Sequence, residues 1–227
     1  MAARIGRKVK IASVAFADRA DAGRELAKFL ALAPDPSAIV LALPRGGVPV
    51  GAALAESLGA PLEPVFVAKL PIPFSPEAGF GAVGIDGSIV LNDDLVRTAG
   101  IAPAAVDGVV ERAKAEVRRR ALAYSGTYSL PDVRGKRVYV TDDGLATGYT
   151  MIAAAKMVRK LRPSSLVLAV PVSPADSLAA VESHFDEAVC LIVQTRVPFA
   201  VASFYEDFHD LSDDEVLAVL EAHRPPK

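Results

Sequence analysis

The stretch Arg137-Val-Tyr-Val-Thr-Asp-Asp-Gly-Leu-Ala-Thr-Gly-Tyr-Thr-Met151 decides how this chain is read. Val138, Tyr139, Val140 and Thr141 are β-branched or aromatic and suit a buried strand. The run stops at two adjacent carboxylates, Asp142 and Asp143, and a turn of small or hydroxyl side chains follows, Gly144-Leu145-Ala146-Thr147-Gly148. Residues 150–161 then show helical spacing through Ile152, Ala155, Met157, Val158 and Leu161. An acid pair, a Gly/Thr turn and a helix start therefore share the carboxyl end of one strand. In an open parallel sheet, ligands bind there.

The chemistry follows from the residue types. A turn entering a helix aims unpaired N–H groups at one point, backed by the positive end of the helix dipole. Glycine lets the backbone come close to a phosphate, and Thr147 and Thr150 add hydroxyls. Asp142 and Asp143 would repel that phosphate. They must face sugar hydroxyls, a Mg²⁺, or both. An anion cradle beside a diol clamp describes a sugar phosphate such as ribose 5-phosphate. The plainer alternative is an acidic turn with an ordinary N-cap.

Moving outward, residues 38–43 (Ala-Ile-Val-Leu-Ala-Leu) form a continuous apolar run suited to a central parallel strand. Pro44-Arg-Gly-Gly-Val-Pro-Val-Gly51 follows, then a helix to Leu58 with Gly59 past its end. Arg45 with the N–H groups of Gly46 and Gly47 suits a diphosphate; the alternative is a tight turn with a solvated arginine. Residues 62–68 predict a further strand ending at Lys69, whose charge can reach the same diphosphate. Neither glycine turn carries G-x-x-x-x-G-K-[ST] or G-x-G-x-x-G spacing, which argues against an NTPase or a dinucleotide enzyme.

The flanks are less regular. Residues 10–16 suit a short strand or extended arm, and Asp18 or Asp21 caps a helix ended by Pro34 and Pro36. Pro71, Pro73 and Pro76 predict an extended segment, and residues 81–92 a hairpin turning at Asp86-Gly87. Residues 103–124 predict a helix with Val106, Val109, Val110, Ala113 and Val117 on one side and a basic end at Arg118, Arg119 and Arg120. Residues 165–170 and 187–193 are further strands, with Ser173 the expected cap between them. Phe199, Phe204, Tyr205 and Phe208 suit core packing of a C-terminal cover, or stacking on a base. Ser212-Asp-Asp-Glu215 reads as a capping box, and His209 as structural or solvated. Strands alternating with helices imply an α/β protein with helices on both faces.

Residues 140–150 resemble the phosphoribosyl pyrophosphate (PRPP) signature of type I phosphoribosyltransferases. Arg45-Gly46-Gly47, Lys69, Gly81-Ala-Val83, Val90-Leu-Asn92 and Phe204-Tyr-Glu-Asp-Phe208 extend the likeness to a poorly characterised bacterial branch of that family, over almost the whole chain. The resemblance implies a three-layer fold with a mostly parallel central sheet and a small hood or flap. It implies one domain over residues 1–227, with a hairpin and flexible-loop region at about 70–133 and a cover at about 195–227. Asp142 and Asp143 would hold the ribose hydroxyls. Gly144, Leu145, Ala146, Thr147, Gly148, Tyr149 and Thr150 would wrap the 5-phosphate, and Arg45, Gly46, Gly47 and Lys69 the pyrophosphate. In the family the pyrophosphate loop often holds a cis peptide. A catalytic lid lies between the second core strand and the acidic motif, which makes the basic helix end and residues 124–133 the candidates for it.

The activity implied is Mg²⁺-dependent transfer of 5-phosphoribosyl from PRPP to a nitrogenous acceptor. Mg²⁺ would be held mainly by PRPP, with Asp142 and Asp143 the protein carboxylates within reach. Enzymes for 6-oxopurines have a carboxylate where this chain has Ala146, so the acceptor is not expected to be guanine or hypoxanthine. The alternative function is a non-catalytic sensor of PRPP or nucleotide. The resemblance also suggests a homodimer.

Bulk properties agree with a folded globule. The chain has 227 residues, 52% hydrophobic, long enough for one substantial core. A formal charge of −2 gives no reason to expect a nucleic-acid or membrane partner. The lone Cys190 suits a small buried strand residue in a reducing compartment, and a cytoplasmic location is expected.

Overall fold

The computed structural model describes residues 2–73 and 75–223, with residues 75–77 described by their backbone alone. Six strands form a parallel sheet in the order β1-β9-β8-β7-β2-β3. They are β1 (Arg4–Val9), β2 (Ile39–Ala42), β3 (Leu62–Pro64), β7 (Arg137–Thr141), β8 (Ser165–Pro174) and β9 (Glu187–Gln194). Alternation within the central strands sends side chains to both faces. Val40 and Ala42 join the cluster under α1 (Arg19–Leu30) and α2 (Gly47–Leu58). Ile39 and Leu41 join the cluster under α5 (Tyr149–Lys160) and α6 (Ala175–Glu182). Helices thus cover both faces, and the α/β, mostly parallel, three-layer expectation holds.

The strand expected over residues 62–68 divides. β3 ends at Pro64 and closes one edge of the parallel sheet, whereas β4 (Val67–Ile72) leaves it. β4 pairs antiparallel with β5 (Ser75–Gly84), and β5 with β6 (Ile89–Leu91), in a separate three-stranded sheet. Lys69 therefore sits within β4 and not at the carboxyl end of a parallel strand. The ladder to β2 runs on to the Val65 N–H, which donates to the Ala42 oxygen at 2.9 Å, and only then does the chain leave for the second sheet. The hairpin at Asp86-Gly87 forms as expected, with Gly87 at φ 81°. Gly79-Phe-Gly-Ala-Val-Gly84 has G-x-G-x-x-G spacing, but it lies inside antiparallel β5 and starts no helix, so it makes no dinucleotide turn.

The small sheet is sandwiched between two helices. Leu70, Phe80 and Val83 pack toward α4 (Pro103–Ser125), and Val67, Ala82 and Val90 toward α5. α7 (Asp213–Ala222) lays Val216 and Leu220 into the α1/α2-side cluster, behind the predicted capping box of Ser212 and Glu215. Other boundaries differ from expectation. The N-terminal strand is Arg4–Val9, not residues 10–16. α1 stops at Ala31 in the left-handed region, before either proline. Ser173 is a buried strand residue, because β8 runs on to Pro174, which takes the cap position of α6. Cys190 is buried, and burial pushes its thiol up to about 12. Among the described residues no helix is long and apolar enough to cross a membrane.

Candidate functional site

Two turns meet because their strands are neighbours. β2 and β7 pair in parallel from Ile39↔Val138 to Ala42↔Thr141, and the Leu43 N–H extends the ladder to the Thr141 oxygen at 3.0 Å. Both chains therefore leave the sheet side by side at their carboxyl ends. The Pro44–Arg45 peptide is cis, and Gly46 caps α2 with ordinary right-handed angles. Gly46 is required by what lies against it. A Cβ there would stand 2.0 Å from Asp143 Oδ2, and one on Gly47 would stand 2.9 Å from both Asp142 Cα and the Thr141 oxygen. The first turn lies directly on the acid pair of the second.

The two acids have different surroundings. Asp142 accepts the Asp143 N–H on Oδ1 at 2.9 Å and faces a cavity. Burial, then the neighbouring Asp143 charge, pushes its carboxyl well above the usual range. Asp143 Oδ2 accepts from Arg19 Nε at 2.8 Å, and its backbone oxygen accepts from Tyr205 Oη at 2.6 Å. Burial raises its carboxyl as well, against the opposing pull of Arg19. Arg19 is only 7% exposed. It donates to the His209 oxygen at 2.9 Å and lies 3.8 Å from the Phe208 ring centroid. The N-terminal helix and the C-terminal aromatic segment thus close on the same acid.

The second turn is braced from the opposite side. The Leu145 N–H donates to the Val172 oxygen at 2.9 Å, so this buried residue anchors the turn from beneath. Gly144 is packed so closely that a Cβ would stand 2.7 Å from the Val172 side chain. Ser177 Oγ donates to the Ala146 oxygen at 2.6 Å. Gly148 caps α5 at φ 81° and is needed for that angle. Ala146 and Thr147 are exposed at the tip, and Tyr149 is half-buried against the α5-side cluster. Free N–H groups of the first turn of α5 follow.

A cavity of about 480 Å³ opens between the turns and α4. Pro44, Lys69, Asp142 and Thr150 line it together with Arg112 and Glu116 of α4. Arg120, from the basic run, lines it too. The other lid candidates lie away from this cavity. Tyr124 and Val133 are buried, and Thr127 and residues 129–132 line a separate cavity with Ile39 and Leu62, at the amino ends of β2 and β3. Residues 109–120 of α4 contribute to the wall of the first cavity through Val109, Arg112, Ala113, Glu116 and Arg120. Arg45 is not in the cavity wall. Its Nη1 lies 3.9 Å from Asp213 Oδ1, an acid that also accepts from Tyr124 Oη and lies 3.5 Å from Arg119.

Sequence reasoning missed Arg19, Tyr205 as a clamp, and Arg112. Arg19 carried no local signal, being 124 positions from its partner. The aromatics are mutual packing, with Phe16 and Tyr205 rings 5.4 Å apart and Tyr205 and Phe208 5.1 Å apart. Val109, Arg112, Ala113, Glu116 and Arg120 do have helical spacing, which could have marked the α4 face. Among the described residues no group of three or more His, Cys, Asp or Glu is placed to hold a metal. Asp142 is the aspartate that faces the cavity.

Comparison with known proteins extends this geometry. Residues 83–209 match the family model described as "Phosphoribosyl transferase domain". Two curated relatives from Mycobacterium tuberculosis, strains CDC 1551 and H37Rv, are both named "Putative phosphoribosyl transferase". Each is 45% identical over 210 residues, covering 92% of this chain and 47% of the relative, so the chain spans about half their length. The crystal structure of TT1426 from Thermus thermophilus is 33% identical with a TM-score of 0.73, covering 93% of this chain and 100% of that one. That structural match spans most of the chain, whereas the family match begins after the Pro44–Gly47 turn and Lys69.

Proposed function

Given that the chain belongs to the phosphoribosyl transferase family, we propose that it transfers 5-phosphoribosyl from PRPP to a nitrogenous acceptor and releases pyrophosphate. One observation carries the reading. Two glycine-bearing helix-start turns meet at the carboxyl ends of adjacent parallel strands, over a cavity large enough for a small ligand.

The roles follow from the geometry. The N-terminal turn of α5, with Thr147 and Thr150, binds the 5-phosphate through N–H groups, hydroxyls and the helix dipole. Gly144 and Leu145 support that loop from below. Asp142 faces the ribose hydroxyls, and Asp143, held by Arg19, sets the position of both turns. The Gly46-Gly47 turn and Lys69 receive the diphosphate. As the acceptor nitrogen donates its lone pair to ribose C1, the C1–O electrons leave with the diphosphate, and a proton departs from the acceptor nitrogen. Asp142 places negative charge beside the ribose as it becomes cationic.

The donor set fits a Mg²⁺ held chiefly by the sugar diphosphate, because Asp142 supplies one cavity-facing carboxylate. When bound, the metal neutralises diphosphate charge. Ala146 at the tip of the second turn offers no carboxylate to an acceptor base, which favours acceptors other than 6-oxopurines.

The test is PRPP-dependent pyrophosphate release across a panel of nitrogenous acceptors, with and without Mg²⁺. Release with at least one acceptor, abolished by chelator, is expected. Saturable PRPP binding with no release from any acceptor would overturn transfer and leave a sensing role.

A further inference from the structure

We propose that Arg112 of α4 binds the diphosphate of the sugar donor and takes up its charge as the C1–O bond breaks, with the C1–O electron pair leaving on the diphosphate. This rests on the transfer reading above and assigns a residue that lies outside both glycine turns.

The inference starts from the helix face. Val109, Arg112, Ala113, Glu116 and Arg120 recur at three- and four-residue spacing and line the cavity opposite Pro44 and Asp142. Val109 and Ala113 are buried and hold the helix on the small sheet, which sets the height of the charged residues between them. The charges on that face are not equivalent. Glu116, one turn after Arg112, is already taken: it accepts from Arg119 at 2.9 and 3.0 Å and from Arg120 at 2.7 Å. Arg120 is therefore offset by a carboxylate. Arg112 is exposed and has no hydrogen bond or ion pair among the described residues.

The other arginine expected at the diphosphate, Arg45, is drawn toward Asp213 and is not in the cavity wall. Arg112 is then the guanidinium in the wall that no protein carboxylate neutralises, and Lys69 lies in the same wall. A guanidinium offers several donors in a planar fork that matches two phosphate oxygens. Diphosphate is the ligand group that suits this end of the cavity, because the 5-phosphate has the α5 turn to itself.

Calorimetric titration of the whole chain with inorganic pyrophosphate, and separately with ribose 5-phosphate, both with Mg²⁺, tests the assignment. Arg112→Gln should weaken pyrophosphate about tenfold or more and leave ribose 5-phosphate affinity unchanged. Arg112→Lys should recover part of the loss, and kcat/KM for PRPP should fall in the same order. Because Arg112 is exposed and unpaired, the thermal midpoint should not move, which separates a ligand contact from a structural one. Equal pyrophosphate affinity in wild type and Arg112→Gln, with wild type turning over PRPP, overturns the assignment alone. Wild type binding neither PRPP nor pyrophosphate overturns it together with the transfer reading.

Discussion

The turn after β2 and the turn after β7 share one local plan: strand, short glycine-bearing turn, helix. They need their glycines for different reasons. Gly46 has φ −59°, an angle open to any residue, and is glycine because Asp143 occupies the space where a side chain would go. Gly148 has φ 81°, an angle costly for other residues, and a Cβ there would also stand 2.5 Å from a methyl of the buried Val181. One glycine answers to tertiary proximity alone and the other to its own backbone as well. The support differs too. The first turn rests on the acid pair, and the second on β8 and α6 through Val172 and Ser177.

Gly46→Ala should break the comparison most severely. The new Cβ must displace an Asp143 carboxylate held by Arg19, and forced overpacking of this kind costs about 3 kcal/mol. Urea unfolding should show that loss, and PRPP affinity should collapse as the turns part. Unchanged PRPP affinity in a folded Gly46→Ala protein would mean that contact between the turns is not what builds the site.

Gly148→Ala should cost less, about 2 kcal/mol for a left-handed residue with a β-carbon. Its functional loss should fall on ribose 5-phosphate more than on pyrophosphate. Equal losses for both ligands would erase the division of labour between the turns.

Asp142→Asn should have the smallest effect on stability, and of opposite sign. The folded carboxyl titrates above its unfolded value, so the ionised form is disfavoured in the fold. The penalty is absent below about pH 3.9 and grows as pH rises through the raised folded value. The variant should therefore melt a few degrees higher near pH 7.5, with the gain vanishing toward pH 4, while PRPP affinity falls. A lower midpoint at neutral pH would show that Asp142 holds the fold and not a ligand.

Much of the site could be read from the chain because its parts are local. Strand, acid pair, turn and helix start occupy fifteen consecutive positions, Arg137 to Met151. The capping box at Ser212, the hairpin at Asp86-Gly87 and the helical face of α4 were legible for the same reason. The division of residues 62–69 was harder. No residue there marks the break, because apolar runs read alike in a parallel strand and in the antiparallel β4. Of the basic run only Arg120 lines the cavity, a distinction the sequence does not carry because neighbouring arginines on one helix differ only in what they face.

Hydrophobic period and turn chemistry, written within windows of a dozen residues, were sufficient for the α/β class, the strand–turn–helix units and the candidate phosphate and ribose residues. Contacts across the fold were needed for the rest. Arg19 on Asp143, Tyr205 over the same acid, Gly46 against its carboxylate and Arg112 across the cavity all join residues far apart in the chain. A side chain's periodicity reports which face it shares with its neighbours, while its partner depends on strand order, and the β2–β7 adjacency that makes this site was written in no single segment.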